Sequence, residues 1–363
     1  MLGLTYSIAD QNVATTKSMG IYNLSVNLAQ NLAVHPQLKK LTVFSNRSIS
    51  PSLCASDKTI LEEHNGAMEN KAGRICWDQW GVYQSARKAG NPWLFLPKGF
   101  CSFVKSPPLR VAAYVHDTMG NYYREQGRRF QSRFEDFYFT RSLAATLREA
   151  AVIFANTEFS KKEILRLARQ SGILEPKIAV VGYGFAATTF APVKKENRVV
   201  LFASKLPHKR TDIAIRFLDQ WVKQTRFDGV IDCIGILSPE MEKPSGRHWN
   251  WIGRVPPATG RDMMRRARAI VYVSEYEGFG MPPVEAVLEG TCPVFSDLPP
   301  LREVMGKVGF SFSNDSAENF NVAMEKALAV SAETLRFWSQ ELLARHHWPG
   351  VTGKIVEELL RHA

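Results

Sequence analysis

The chain has 363 residues, 45% hydrophobic and 22% charged, an ordinary soluble globular composition that is long for one core and comfortable for two domains. No apolar run approaches the roughly 20 residues that span a bilayer, and the five cysteines (Cys54, Cys76, Cys101, Cys233, Cys292) are scattered, with no CxxC and no zinc spacing, so they read as reduced thiols of a cytoplasmic protein. The net charge of +11 lies in one half: residues 1–195 hold 25 Lys+Arg and 14 Asp+Glu, and residues 196–363 hold the remaining 21 and 21.

The N-terminus, MLGLTYSIADQ, lacks a basic region followed by an apolar core, so no export signal is expected. Strand candidates then follow: LTVFS (41–45), RVAAYVHD (110–117), AAVIFANT (150–157), KIAVVGYG (177–184), RVVLFASK (198–205), GVIDCIGI (229–236), AIVYVSE (269–275) and TCPVFSD (291–297). These are near-continuous apolar runs rich in β-branched residues, as strands buried on both faces are. Helical patterns lie between them, for example SKKEILRLARQSG after Thr157 and RTDIAIRFLDQWVKQ after Lys209. The alternation predicts an α/β fold with parallel sheets. It runs twice, and the polar break APVKKENR, Ala191–Arg198, is the expected linker. The predicted domains are residues 1–190 and 198–345, followed by a terminal segment, 346–363. Two such sheets would face each other across a cleft, with ligands beyond the carboxyl ends of the strands.

The most informative stretch is SEYEGFGMPPVEAVLEG, Ser274–Gly290. It leaves an apolar strand, turns at Gly278 and Gly280, and restarts as a helix at Pro282 and Pro283, which fit where no N–H partner is missed. Gly290 suits the helix C-terminus. Free N–H groups and the positive dipole end fit a phosphate or sugar oxygens. Glu285 is expected in the first turn, able to accept hydrogen bonds from a diol, with Glu277 reaching from the other side. N–H donors with two carboxylates suit a sugar nucleotide; a strand–turn–helix whose acid steadies its own dipole is the plainer alternative. The other candidate is FASKLPHKRTD, where Lys205 and Lys209 follow a strand and would neutralise a diphosphate as a leaving group. A solvated basic loop is the alternative there, and Arg210 is an alternative to Lys209.

These residues resemble retaining glycosyltransferases of family 4, which have the GT-B fold. EGFGMPPVE matches the E-x7-E signature of that family, and YVHD, IFANTEFSKKEI, VVGYGFAATTFAP, LFASKLPHKRTD, WIGRV and HHWPGVTGKIVEELL resemble further segments in the right order. The resemblance implies two Rossmann-like domains facing across a cleft, an N-terminal acceptor side, a C-terminal nucleotide-sugar side, and a last helix that crosses back to the first domain. It implies that Glu285 binds the ribose hydroxyls and that Glu277 sits by the donor sugar and its phosphate. The N–H groups of Gly278, Phe279, Gly280 and Met281 would hold the sugar and diphosphate, and Lys205 and Lys209 the phosphates. His116 would contact the sugar from the opposite domain, as a positioning donor or a general base, with Asp117 after it; Gly20 would lie in the first loop near the acceptor. The chain departs from the pattern at Lys205, where an Arg is usual, at Ser204, where a Gly is usual, and at the single glycine of KSMGIYN.

No Asp-x-Asp pair occurs, so a metal held on such a pair is not expected, and the reading is metal-independent with no cofactor. The resemblance implies retention of configuration, either by front-face departure with the leaving phosphate taking the acceptor proton or, less favoured, with Glu277 as nucleophile. GDP-mannose is the first guess for the donor, from resemblance to bacterial polysaccharide mannosyltransferases, ahead of rhamnose or glucose donors. The basic half suggests an anionic partner, unless it reflects only a generally basic proteome. Asn121–Arg141 carries five Arg and seven aromatics, with Phe130, Phe134 and Phe137 on one helical face. That suggests a peripheral enzyme on the cytoplasmic face of the inner membrane, with a lipid-linked or oligosaccharide acceptor; a core helix with solvated arginines is the alternative. Competing readings are a sugar-nucleotide epimerase of the same fold, a nucleic-acid binder and a nicotinamide oxidoreductase. The last two lack a reading element and a G-x-G-x-x-G near residue 10 or 184, so no nucleic acid partner is expected.

Overall fold

The computed structural model describes residues 2–12, 19–53, 56–129, 131–187 and 193–363. Contacts divide the chain into two compact units, Met1–Ala186 with His346–Ala363, and Ala187–Arg345.

The first unit is built on strands β1 (Leu2–Ser7), β2 (Leu38–Ser45), β3 (Thr59–Glu63), β4 (Trp93–Leu96), β5 (Arg110–Val115), β6 (Val152–Ala155) and β7 (Ile178–Val180). Among the described residues they form one parallel sheet in the order β3-β2-β1-β4-β5-β6-β7. The chain runs outward from β1 through β2 to β3, then lays β4 on the other side of β1. The order therefore reverses between β1 and β4, where open parallel sheets leave a crevice beyond their carboxyl ends. β4 and β6 are buried at every residue, as strands covered on both faces must be.

The second unit repeats the plan with β8 (Arg198–Ala203), β9 (Val230–Gly235), β10 (Trp249–Gly253), β11 (Ala269–Tyr272), β12 (Cys292–Ser296) and β13 (Phe310–Phe312), all parallel, in the order β10-β9-β8-β11-β12-β13. Its reversal lies between β8 and β11. The helix Thr211–Thr225 follows β8 and buries Ile213, Phe217, Leu218, Trp221 and Val222 on one stripe, leaving Asp212 and Lys223 outside. Phe217 meets Phe312 and Phe320 at ring-centroid distances of 6.2 and 5.6 Å, tying this helix to the far edge of the core.

Both units are thus Rossmann-like, the α/β class expected. The terminal helix Trp348–Arg361 belongs to the first unit: it packs on the helix Met19–Ala33 and on β6, and Trp348 lies 5.1 Å from the ring of Tyr183. All eight predicted strands form. Five others carry too few apolar residues in a row to stand out: β1, β3, β4, β10 and β13. The expected linker is not free where it is described. Lys195 donates to Arg265 O at 2.7 Å and to Thr291 Oγ1 at 2.9 Å, so it is fastened to the second unit; Ala191 and Pro192 lie outside the described residues.

Candidate active site

In the second unit the loops after β8 and β11 meet at the reversal of strand order. The backbone of His208 holds them together: its carbonyl accepts the N–H of Glu275 at 2.7 Å and the hydroxyl of Ser274 at 2.9 Å. Ser274 is fixed from the other side, its N–H donating to Ser296 Oγ at 2.9 Å and its carbonyl accepting from Asn314 Nδ2 at 2.7 Å. Arg210 spans the loops as well, pairing with Asp212 at 2.9 Å and Glu275 at 3.4 Å, so it is not a spare phosphate cation.

This scaffold brings Glu277 and Lys209 together. Lys209 Nζ lies 2.6 Å from Glu277 Oε1 and 2.7 Å from the Tyr272 hydroxyl, and that hydroxyl donates to the same Oε1 at 2.5 Å. Glu277 is buried, at 7% exposure. Burial by itself would raise its pKa, but the charge and hydrogen bond of Lys209, with the Tyr272 hydroxyl, hold it below the usual carboxylate value. The carboxylate is therefore ionised at neutral pH, and Oε2 has no partner among the described residues. Burial, with Glu277 beside it, pushes the Tyr272 phenol well up, so it remains a donor. His208 is buried; that burial and then Lys209 lower its pKa to about 4, so its ring is neutral.

Lys209 is ion-paired with Glu277, whereas Lys205 is exposed and makes no ion pair among the described residues. One expectation changes here. The helix after the turn runs Met281–Leu288, so Glu285 is its fifth residue and lies just past the first turn. The proline pair fills the early positions, where amide donors would have been, and leaves the Met281 N–H as the donor of the first three helical residues. Glu285 is half-buried, and burial raises its pKa, with Arg261 opposing and Glu289 adding. Gly280 has φ +84°, and a Cβ there would sit 2.1 Å from Leu301 Cδ2, so the turn demands glycine for both conformation and space. Phe279 is buried at 5% beside it.

In the first unit, His116 follows β5. Its Nε2 lies 2.8 Å from Pro97 O, and a carbonyl only accepts, so Nε2 carries the proton and Nδ1 is an acceptor. Burial lowers the pKa to about 4, with the Pro97 bond opposing; the ring is neutral and a weak base. Asp117 accepts the N–H of Met119, the first residue of the following helix, at 3.0 Å; the N-cap position itself is Thr118. Gly20 is not in a loop: it stands in the first turn of the helix Met19–Ala33, whose Leu24, Leu28 and Leu32 stripe carries the helix onto the sheet. The residues before it, 13–18, lie outside the described set, as does Phe130. Tyr272 and His208 escaped sequence reasoning. Tyr272 read as strand core, though a tyrosine ending a buried strand five residues before an acid was an available signal.

A Rossmann-like pair of units with a charged network at a strand-order reversal is the class defined by these features. Residues 190–341 match the family Glycosyl transferases group 1. A 103-residue stretch is 31% identical to GDP-mannose:cellobiosyl-diphosphopolyprenol alpha-mannosyltransferase of Xanthomonas oryzae, covering 27% of each chain. An 80-residue stretch is 26% identical to the serotype-specific mannosyltransferase WbdA of Escherichia coli, covering 22% of this chain and 10% of that one. The matches thus span about a quarter or less of these relatives' lengths. Among solved structures, sucrose-phosphate synthase of Thermosynechococcus elongatus matches over 100% of both chains at 15% identity and a TM-score of 0.66. HepE of Anabaena, solved in complex with UDP-glucose, matches over 99% of this chain and 100% of that one at 15% identity and a TM-score of 0.67. The chain therefore has the GT-B fold, its residues 190–341 match the group 1 glycosyltransferase model, and it resembles bacterial mannosyltransferases over about a quarter of its length.

Proposed function

We propose that this protein is a retaining, metal-independent glycosyltransferase that moves a hexose from a nucleotide-diphosphate sugar to a lipid-linked or polysaccharide acceptor. The observation that carries this is the buried Glu277–Lys209–Tyr272 network at the reversal between β8 and β11, with exposed Lys205 on the same loop after β8. In the transfer, the bond from the anomeric carbon to the diphosphate breaks, so negative charge grows on the diphosphate and positive charge on the sugar ring. Lys205 and the backbone N–H groups of the Gly278–Met281 turn meet the first charge. Glu277, kept ionised by Lys209, faces the second. Glu285 accepts hydrogen bonds from the ribose hydroxyls. Retention follows if the departing phosphate oxygen takes the acceptor proton on the same face, which needs no enzymic base; His116 of the first unit, its pKa lowered to about 4 by burial, is a weak one.

GDP-mannose remains the first donor, supported by the donor printed in the name of the Xanthomonas relative; the UDP-glucose bound to HepE supports a nucleotide sugar more broadly. A membrane surface is supported by the helix Arg133–Glu149, where Phe134 and Phe137 are 52% and 57% exposed. Lys71 Nζ stands 4.9 Å over the Phe134 ring, and the Arg141 guanidinium 6.0 Å from that of Phe137. Exposed aromatics ringed by cations suit an anionic headgroup layer. No helix among the described residues is long and apolar enough to cross a membrane. Calorimetry with UDP, GDP, dTDP and their sugar conjugates in EDTA tests the donor half: one nucleotide binds the wild type, and Glu285→Gln weakens it about tenfold or more. If no nucleotide binds, the reading fails.

A further inference from the structure

Lys209 by itself balances the charge of Glu277, so the Tyr272 hydroxyl is not needed for neutrality. Tyr272 is the last residue of β11 and is 4% exposed. Its neighbours Val271 and Val273 pack into the core shared with Phe217 and Phe312, so Tyr272 points from the opposite face of the sheet. A phenylalanine would fill the same place without burying a hydroxyl, which costs free energy unless it is paired. Among the described residues this hydroxyl has its hydrogen bonds with Lys209 Nζ at 2.7 Å and Glu277 Oε1 at 2.5 Å.

The three groups close a triangle. Lys209 Nζ donates to the phenol oxygen and to Glu277 Oε1, and the phenol proton goes to Oε1 as well. Both donors thus converge on one carboxylate oxygen, and Oε2 receives none among the described residues. The backbone leading into Glu277 is already fixed: the Ser274 hydroxyl lies 3.0 Å from Tyr276 O, and Ser274 is held in turn by Ser296 and Asn314. What stays open is the last side-chain torsion, which for a carboxylate is broad and two-fold. Lys209 alone does not close it, because an ammonium on a flexible stem follows the carboxylate as it turns. A phenol on a buried ring at a strand end has no such freedom. Lys209 Nζ also keeps its remaining N–H for a phosphate, so its share of the triangle is the one a bound diphosphate would alter.

We propose that Tyr272 is a positioning residue for the donor sugar: by fixing the Glu277 carboxylate through Oε1 it presents Oε2 to the hexose hydroxyls, and it keeps that orientation when a diphosphate draws on Lys209. This role rests on the transferase reading and says which part of the donor the network reads. An ionised carboxylate oxygen with no donor of its own suits a sugar hydroxyl and repels a phosphate oxygen. Binding of the nucleoside diphosphate therefore does not depend on the Tyr272 hydroxyl, whereas binding of the sugar does. The phenol holds its proton throughout the neutral range, since burial and then the Glu277 charge push its pKa well up.

The test is calorimetry on the full chain in EDTA, with GDP, UDP and dTDP and with their hexose conjugates as probes. Tyr272→Phe removes one oxygen atom and keeps the ring. The expected result is that the Kd of the nucleoside diphosphate stays within about twofold of wild type, while that of the nucleotide hexose rises about tenfold. Intact diphosphate binding shows that the second unit is folded, and a merely structural role would weaken both ligands alike. In a Glu277→Ala background Tyr272→Phe produces no such split, because the phenol acts through that carboxylate. The role is overturned if Tyr272→Phe weakens both ligands equally, if it weakens neither, or if the split persists in Glu277→Ala. Wild type that binds no nucleotide refutes the transferase reading and this role with it; a nucleotide that binds with no split refutes the role alone.

Discussion

Removing the cation from the Glu277 network gives a sharp test of the energetics. Lys209→Met keeps most of the stem volume and deletes the ammonium that lies 2.6 Å from Glu277 Oε1. The carboxylate, at 7% exposure, then keeps only the Tyr272 hydrogen bond. Breaking a buried pair from one side costs about 3–5 kcal/mol; because the Lys209 side chain is 23% exposed, about 2–4 kcal/mol is expected. At about 2–4 °C per kcal/mol, the second unit melts roughly 4–16 °C lower at pH 8. The sign with pH follows from linkage. In wild type the lowered Glu277 pKa contributes stability above the unfolded value, lost only as pH falls through the folded one. In the variant, burial raises the folded pKa above the unfolded one, so the deficit grows as pH rises from about 4 and shrinks in acid. Differential scanning calorimetry at pH 5 and pH 8 reads this directly. Lys209→Met with Glu277→Gln recovers most of the loss, a coupling of about 2–3 kcal/mol. A deficit equal at both pH values, or no recovery in the double variant, refutes the argument that an unpaired buried charge is the cause.

Three further outcomes are expected. Gly280→Ala combines strained φ with a Cβ 2.1 Å from Leu301 Cδ2, so thermal melts should show a loss of about 2–4 kcal/mol and calorimetry a loss of nucleotide binding. Lys205→Ala leaves the melting temperature within about 1 °C, since the side chain is exposed, but weakens nucleoside diphosphate more than nucleoside and flattens the salt dependence. Asp78→Asn keeps the Tyr138 hydrogen bond and removes a charge that burial disfavours. The raised folded pKa means wild type loses stability as pH rises from about 4 to about 7, so the variant matches wild type below about pH 4 and exceeds it by about 3–4 kcal/mol at pH 8 in denaturant titrations.

The strand alternation and the E-x7-E turn were legible because both are local. A strand buried on both faces writes a continuous apolar run, and a glycine turn between strand and helix writes its own punctuation. β1 and β4 are central to their sheet yet were not distinguished, since LGLTYS mixes Gly, Thr and Ser into its run and WLFL is only four residues. The Lys209–Glu277 contact joins positions 68 apart and Lys98–Asp10 positions 88 apart. Nothing in either neighbourhood announces its partner; the pairing is a product of strand order. Glu285 illustrates the limit within a motif. Its spacing from Glu277 is fixed by sequence, but whether it falls inside the first turn depends on where the helix begins, and Met281 rather than Pro282 begins it. The exposure of Phe134 and Phe137 was equally open, because one apolar stripe serves a core or a membrane alike.

Proton NMR of donor turnover is the most direct test of the transferase itself. The protein is incubated in EDTA with GDP-mannose and, separately, with other nucleotide hexoses, with and without lipid extract, and the anomeric signals are followed. The account predicts that one donor signal decays, that the first new sugar signal keeps the donor's anomeric configuration, and that Glu285→Gln abolishes the change. A product that first appears with inverted configuration, or turnover that EDTA abolishes and a divalent cation restores, would contradict it.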